Sequence, residues 1–226
     1  MQVRLQSTFG YGHAAGVKLF VYGPAGHGKT TLCATCPNPV ILSAESGLLA
    51  LARYQLPYVE IRSLGDLRDA FTWARSSAEA RQFQTICLDS VSEIAEVVLA
   101  ASKAGKKDGR QAYGEMIDDM TKVIKEFRDL QGFNVYMSAK AERLKDELTG
   151  GVLWGPMMPG NKLGQAMPYF PDELFYLGIE GTGANSYRYL RTQPDFMYSA
   201  KDRSGMLLPI EEPHLGKIID KIKASA

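Results

Sequence analysis

Cysteine and histidine are scarce in this chain. Cys33, Cys36 and Cys87 are the only thiols among 226 residues. That is too few for a disulfide framework, and it fits a reducing compartment. Cys33-x-x-Cys36 has the look of half a zinc site, but no second Cys or His pair stands at a matching distance. His13, His27 and His214 are scattered, so small buried thiols are the simpler reading. Net charge is nearly absent as well: 26 Lys and Arg against 25 Asp and Glu give +1. This excludes bulk polyelectrolyte attraction to nucleic acid, and any such contact has to come from local patches. No apolar run approaches the ~18 residues of a membrane span, and Met1-Gln2-Val3-Arg4 lacks the apolar core of a secretion signal. A cytoplasmic protein is expected.

A hydrophobic share of 45% and a charged share of 23% suit one α/β domain with a real core. Residues 1–16 are polar and weakly patterned, an expected N-terminal arm. Val17–Tyr22 reads as a buried strand ending at Gly-Pro, with helical sequence from Lys29 to about Thr35, where Pro37 and Pro39 stop it. Strands are expected at Val40–Ala44, Tyr58–Ile61, Thr85–Leu88 and Phe133–Met137. Helices are expected from Ser63, an N-cap with Asp66 three residues on, to about Arg81, then over Val91–Lys103 and Tyr113–Leu130. Strands alternating with helices imply a mostly parallel sheet covered on both faces. Residues 141–170 are rich in Gly and Pro. Residues 172–193 alternate as paired antiparallel strands, and residues 213–226 form a C-terminal helix starting at Pro213. The domain proper is expected to span 17–212.

The strongest signal is Gly23-Pro24-Ala25-Gly26-His27-Gly28-Lys29-Thr30-Thr31, which fits Gly-x-x-x-x-Gly-Lys-Thr and sits between a buried strand and a helix. Glycines let backbone N–H groups surround a phosphate, and the helix start aims its positive end there. Lys29 supplies charge to the β- and γ-phosphates of ATP, and the Thr30 hydroxyl suits Mg²⁺. His27 occupies a variable position of the loop and is read as incidental. Asp89 ends an apolar strand and suits water-mediated support of Mg²⁺; Asp89-Ser90 would equally cap the next helix. Glu45 closes the second strand, where a carboxylate could activate water or simply lie exposed.

These segments resemble the RecA-like ATPases, and most of all the phage-encoded Sak-type single-strand annealing and recombination proteins. The resemblance rests on residues 23–31, Ile41–Gly47, Ile86–Val91 and Ala200–Gly205, and its layout covers about 17–210. It implies a RecA-like core with a C-terminal antiparallel extension, Glu45 as catalytic base, and Asp89 as the Walker B carboxylate. Ser138 or Lys140 would be a polar sensor. Lys201 and Arg203, in Lys-Asp-Arg-Ser-Gly, would reach the γ-phosphate of a neighbouring subunit, which implies a homo-oligomer. Two cations on a hairpin edge suit that charge, and they also suit a solvated turn.

The resemblance further implies loops that touch single-stranded DNA, and a single-strand-binding protein as a possible companion. One candidate is Lys103, Lys106, Lys107 and Arg110. The other is Lys140, Arg143, Lys145, Trp154 and Lys162, where cations mix with an aromatic as stacking of unpaired bases requires. Packing of Trp154 on the sheet is the plainer alternative. The expected function is a DNA-stimulated ATPase of recombination or annealing. A ring-forming motor or helicase loader, and a nucleotide-dependent switch without DNA, are the competing readings.

Overall fold

The computed structural model describes residues 10–45, 47–104, 109–145 and 150–224. In chain order the elements are α1 (Tyr11–Ala15), β1 (Lys18–Gly23), α2 (Lys29–Leu32), β2 (Pro39–Ser43), β3 (Tyr58–Glu60), α3 (Leu64–Ser76), β4 (Thr85–Asp89), α4 (Val91–Lys103) and α5 (Gly109–Arg128). There follow β5 (Asn134–Lys145), β6 (Val152–Pro156), α6 (Asn161–Ala166), β7 (Glu173–Glu180), β8 (Tyr187–Arg191), β9 (Lys201–Asp202), β10 (Ile210–Glu211) and α7 (Leu215–Lys223).

Strand order along the sheet is β10-β8-β7-β1-β5-β4-β2-β3, with β6 on β5 and β9 on β7. The run from β7 to β3 is parallel throughout, whereas β6, β8, β9 and β10 are antiparallel to their partners. This is the expected architecture, a mostly parallel sheet flanked by helices with an antiparallel C-terminal extension. Alternation along β1 shows how both faces are filled. Phe20 and Tyr22 join a core with α3, α4 and α5, while Leu19 and Val21 join one with α2 and α7. Cys33, Cys36 and Cys87 are buried in that second core.

Several boundaries differ from the sequence reading. The phosphate-loop helix is α-helical only to Leu32 and tightens to a 3₁₀ turn over Cys33–Thr35. Residues 11–15, expected in an unpatterned arm, form a helix held to α7 by a contact of 3.0 Å between His13 Nε2 and Lys223 O. α7 is capped by His214, whose Nδ1 accepts from Lys217 N, so Pro213 precedes the cap instead of opening the helix. β5 runs eight residues past Met137, because Ala141–Lys145 pair with Val152–Pro156. Ser63 does cap α3, accepting from Asp66 N at 3.1 Å, while Asp66 Oδ2 accepts from Arg62 N. Among the described residues no helix is long and apolar enough to cross a membrane.

At the amino edge of the sheet a buried cation gathers three chain reversals. Lys18 Nζ donates to Ala15 O at 2.6 Å, Leu130 O at 2.8 Å and Phe133 O at 2.6 Å. Its three N–H groups are thereby used, which is what allows an ammonium to sit at 4% exposure. Lys18→Met keeps the stem but leaves three buried carbonyls without this donor. It is expected to lower stability by about 3 kcal/mol, measured by urea denaturation.

Candidate nucleotide site

The parallel ladder brings the polar ends of four strands to one edge. The register pairs Gly23 with Lys140, Val21 with Ser138, and Ser43 with Asp89. Between them lies a cleft of about 550 Å³, lined by the loop from Pro24 to Thr31 together with Glu45, Asp89, Ser90 and Lys140. The loop residues, Glu45 and Asp89, widely separated in sequence, therefore line one cleft.

The loop is shaped for a phosphate. Gly28 takes a φ of 102°, left-handed backbone that a side chain would strain, and as N-cap it opens α2, its carbonyl accepting from Leu32 N at 3.2 Å. Gly23 packs so closely on β7 that a Cβ would stand 2.8 Å from Leu177 O. Lys29 Nζ donates back to Gly23 O at 2.7 Å and Pro24 O at 2.9 Å, at the mouth of the cradle. Burial lowers its pKa, and the Asp89 and Glu45 carboxylates oppose that, so the ammonium is held by charge as well as by hydrogen bonds.

Asp89 is 3% exposed. Burial pushes its carboxyl above the usual range, while the hydroxyls of Ser138 and Thr30, both hydrogen-bonded to it, and the charge of Lys29 pull it back. The capping role falls to its neighbour, since Ser90 Oγ accepts from Glu93 N at 3.3 Å. The same hydroxyl donates to Glu45 Oε1 at 2.7 Å and so orients the second carboxylate in the cleft.

A magnesium nucleotide fits this donor set. A glycine cradle of N–H groups and an ammonium face the phosphates, and a hydroxyl and a carboxylate supply hard oxygens. Thr30 and Asp89 would hold the ion, which when bound supplies positive charge to the phosphate oxygens. Glu45, fixed by Ser90, stands where a water could be oriented or deprotonated. Of the two sensor candidates, Ser138 is committed to Asp89. The Lys140 ammonium lines the cleft while paired with Glu93, and Glu96 lies 3.7 Å away.

Three supporting residues escape sequence reading. Tyr136 OH donates to Lys29 O at 2.8 Å from the strand below. Arg188 Nε, on β8, donates to His27 O at 2.9 Å and so clasps the loop from outside. His27 itself is not idle, with Nδ1 lying 3.1 Å from Leu177 O. Ser90, a fourth supporting residue, did carry a signal in its place directly after Asp89.

The remaining candidates lie elsewhere. β9 pairs with the start of β7, Asp202 opposite Glu173, at the amino edge. Lys201 and Arg203 are thus about 13 Å along the strands from their own phosphate loop. Lys201 Nζ donates to Pro168 O at 2.8 Å and Pro171 O at 2.6 Å, and Arg203 pairs with Asp172 at 2.8 Å. Lys106 and Lys107 lie outside the described residues. Lys103 stands 4.8 Å over the Tyr113 ring, and Arg110 is exposed in the first turn of α5. The stretch expected as a second mobile loop is instead the β5–β6 hairpin and α6. Arg143 lies opposite Trp154 on it, Lys145 is near its tip, and Lys162 is exposed on α6. Trp154 is also partly packed on the core, so the plainer alternative holds in part.

Residues 15–204 match the family described as AAA domain. The chain belongs to this family. That places it among P-loop ATPases. Solved structures with a similar fold include a KaiC-like protein from the hyperthermophilic archaeon Pyrococcus horikoshii, 14% identical, TM-score 0.44, covering 78% of this chain and 77% of that one. Another is the flagellar accessory protein FlaH from Methanocaldococcus jannaschii, 10% identical, TM-score 0.46, covering 79% and 78%. A search of curated proteins found no match.

Two expectations follow. Lys29→Ala should weaken MgATP binding roughly hundredfold, about 3 kcal/mol, in a calorimetric titration, with the circular dichroism spectrum unchanged. At the amino edge, burial and the neighbouring Asp202 push the Glu173 carboxyl from the ordinary 4.5 up to about 8. Between those pH values the folded chain keeps a proton that the unfolded chain has lost. This contribution to stability is complete below about 4.5 and disappears as pH rises through 8. Glu173→Gln retains a donor at every pH. Its urea midpoint should exceed that of the parent at pH 8.5 and match it at pH 5.

Proposed function

We propose that this AAA-domain chain hydrolyses ATP and couples hydrolysis to single-stranded DNA, in the manner of the Sak-type recombination and annealing ATPases. One observation carries the reading. β5 passes from the nucleotide cleft at Lys140 directly into the hairpin where Arg143 faces Trp154. A single strand therefore joins a phosphate site to a cation–aromatic pair of the kind that binds unpaired bases. The base of that hairpin is tied to α4: Lys140 N donates to Ser92 Oγ at 3.0 Å, and Ser92 Oγ donates to Met157 O at 2.8 Å. A shift at the cleft would be felt in the hairpin through these short bonds.

In this reading Glu45 activates water, Asp89 and Thr30 support Mg²⁺, and the ATP site is completed by a second copy packed head to tail. Arg203, exposed and, among the described residues, bound by a surface ion pair, is the finger that reaches the neighbour. Such a pair is worth about 0–1 kcal/mol and is easily exchanged for a phosphate. Lys201, half-buried on two carbonyls, anchors the turn that presents it.

ATP turnover measured with and without single-stranded DNA tests the coupling. Stimulation in the parent and its loss in Lys29→Ala are expected. Turnover indifferent to DNA, together with no retention of DNA on a filter, would sink the proposal. Mixing tests the shared site: Arg203→Ala and Glu45→Ala chains, each inactive alone, should recover part of the activity when combined.

A further inference from the structure

Tyr22 is the last residue before the phosphate loop. Its hydroxyl lies 2.8 Å from Trp154 O and 2.7 Å from Ser199 O, so one proton serves two carbonyls from two segments. Those segments are themselves joined. Trp154 N donates to Met197 O at 2.7 Å and Ser199 N donates to Trp154 O at 2.9 Å. Residues 197–199 therefore run parallel beside Trp154, joined to β6 by a single bridge at Tyr198.

The outer side of this junction is a row of rings and guanidiniums. Arg143 stands 5.3 Å over the Trp154 ring, and Arg191 stands 5.3 Å over the Tyr198 ring. Tyr198 in turn lies 4.2 Å from Tyr176, with 32° between the ring planes. At the crest, Phe196 is 87% exposed and Met197 42%. The acid in the row is Asp195. It is paired with Arg191 at 3.0 Å and accepts from Met197 N and Tyr198 N, so its charge is balanced while it fixes the turn that lifts Phe196. A lone exposed apolar residue is ordinary. Trp154 and Tyr198 are bridge partners, and the exposed Phe196 ring stands two residues along the chain from Tyr198, so exposed and arginine-covered rings share one segment, which is a surface with a chemistry.

We propose that this ridge, formed by Arg143, Trp154, Arg191, Phe196 and Tyr198, is where single-stranded nucleic acid lies. Bases stack on the exposed Phe196 ring and on the guanidinium planes that cover Trp154 and Tyr198, and phosphates meet the same guanidiniums; only unpaired bases offer free faces for this. Tyr22 carries the occupancy of the ridge to the phosphate loop one residue away. The inference rests on the reading that the chain binds single-stranded DNA. It extends the contact from the hairpin pair Arg143 and Trp154 to the 191–198 segment, which no sequence motif marks.

The test uses the full chain carrying Trp73→Phe, which leaves Trp154 as the sole indole, and an oligothymidylate of thirty nucleotides. Binding should quench Trp154 fluorescence. Phe196→Ala and Arg143→Ala should each weaken affinity about tenfold. Because Phe196 is exposed, its loss does not put folding at issue. Tyr22→Phe should bind the oligonucleotide as the parent does and lose the DNA-stimulated part of ATP turnover. If the parent binds the oligonucleotide without quenching, and Phe196→Ala binds equally well, the ridge assignment is overturned while single-strand binding stands. If the parent retains no oligonucleotide, both fall. If Phe196→Ala instead reduces self-association in sedimentation with DNA affinity unchanged, the ridge is a protein contact and the inference fails.

Discussion

The hydrogen-bond ladder of the parallel strands is the constraint on which the nucleotide cleft depends. It alone sets Ser43 beside Asp89 and Gly23 beside Lys140, and none of these groups is near its partner in sequence. A slip of one residue would turn every side chain to the opposite face. Asp89 would then leave its contacts with Thr30 and Ser138, and the two cores would exchange their contents. The half-buried ammonium of Lys29 is held in the cleft by the two carboxylates that this register delivers to it. Fold and chemistry are thus fixed by the same bonds.

What could be read from residues alone was whatever is local. The glycine spacing, the apolar strand ending in Asp89, and Ser63 before α3 each act within a few positions, and each appears where its physical chemistry requires. Sequence-distant pairing was much less legible. Nothing about residues 141–145 distinguishes a loose Gly-rich loop from a strand until Val152–Pro156 is laid against it. Arg188 gives no sign that it crosses to His27, because the contact spans 161 positions and is made by a hairpin fold, not by a motif. Pro213 suits a first helical turn, yet His214 takes the cap because its ring nitrogen accepts from the chain three residues on.

The Lys-Asp-Arg-Ser-Gly turn shows a different limit. Its residues match a motif, but a match does not say where a charge is spent. Lys201 serves two carbonyls of its own chain, and Asp202 takes three backbone or hydroxyl donors within the turn. Arg203 alone faces outward. Two cations that look equivalent on paper are separated by burial into an anchor and an exposed group, and only the second can answer to a partner without first breaking the turn.

The three thiols carry a consequence for handling the molecule. All are buried, and burial raises Cys33 to about 11 and holds Cys87 well above the ordinary thiol range. At neutral pH Cys33 and Cys87 are protonated, and all three thiols are shielded by burial, so maleimides and mild oxidants have little to attack. The native chain therefore serves as its own unreactive background: one cysteine introduced on an exposed position would take a fluorophore or spin label selectively, with no prior removal of the natural ones.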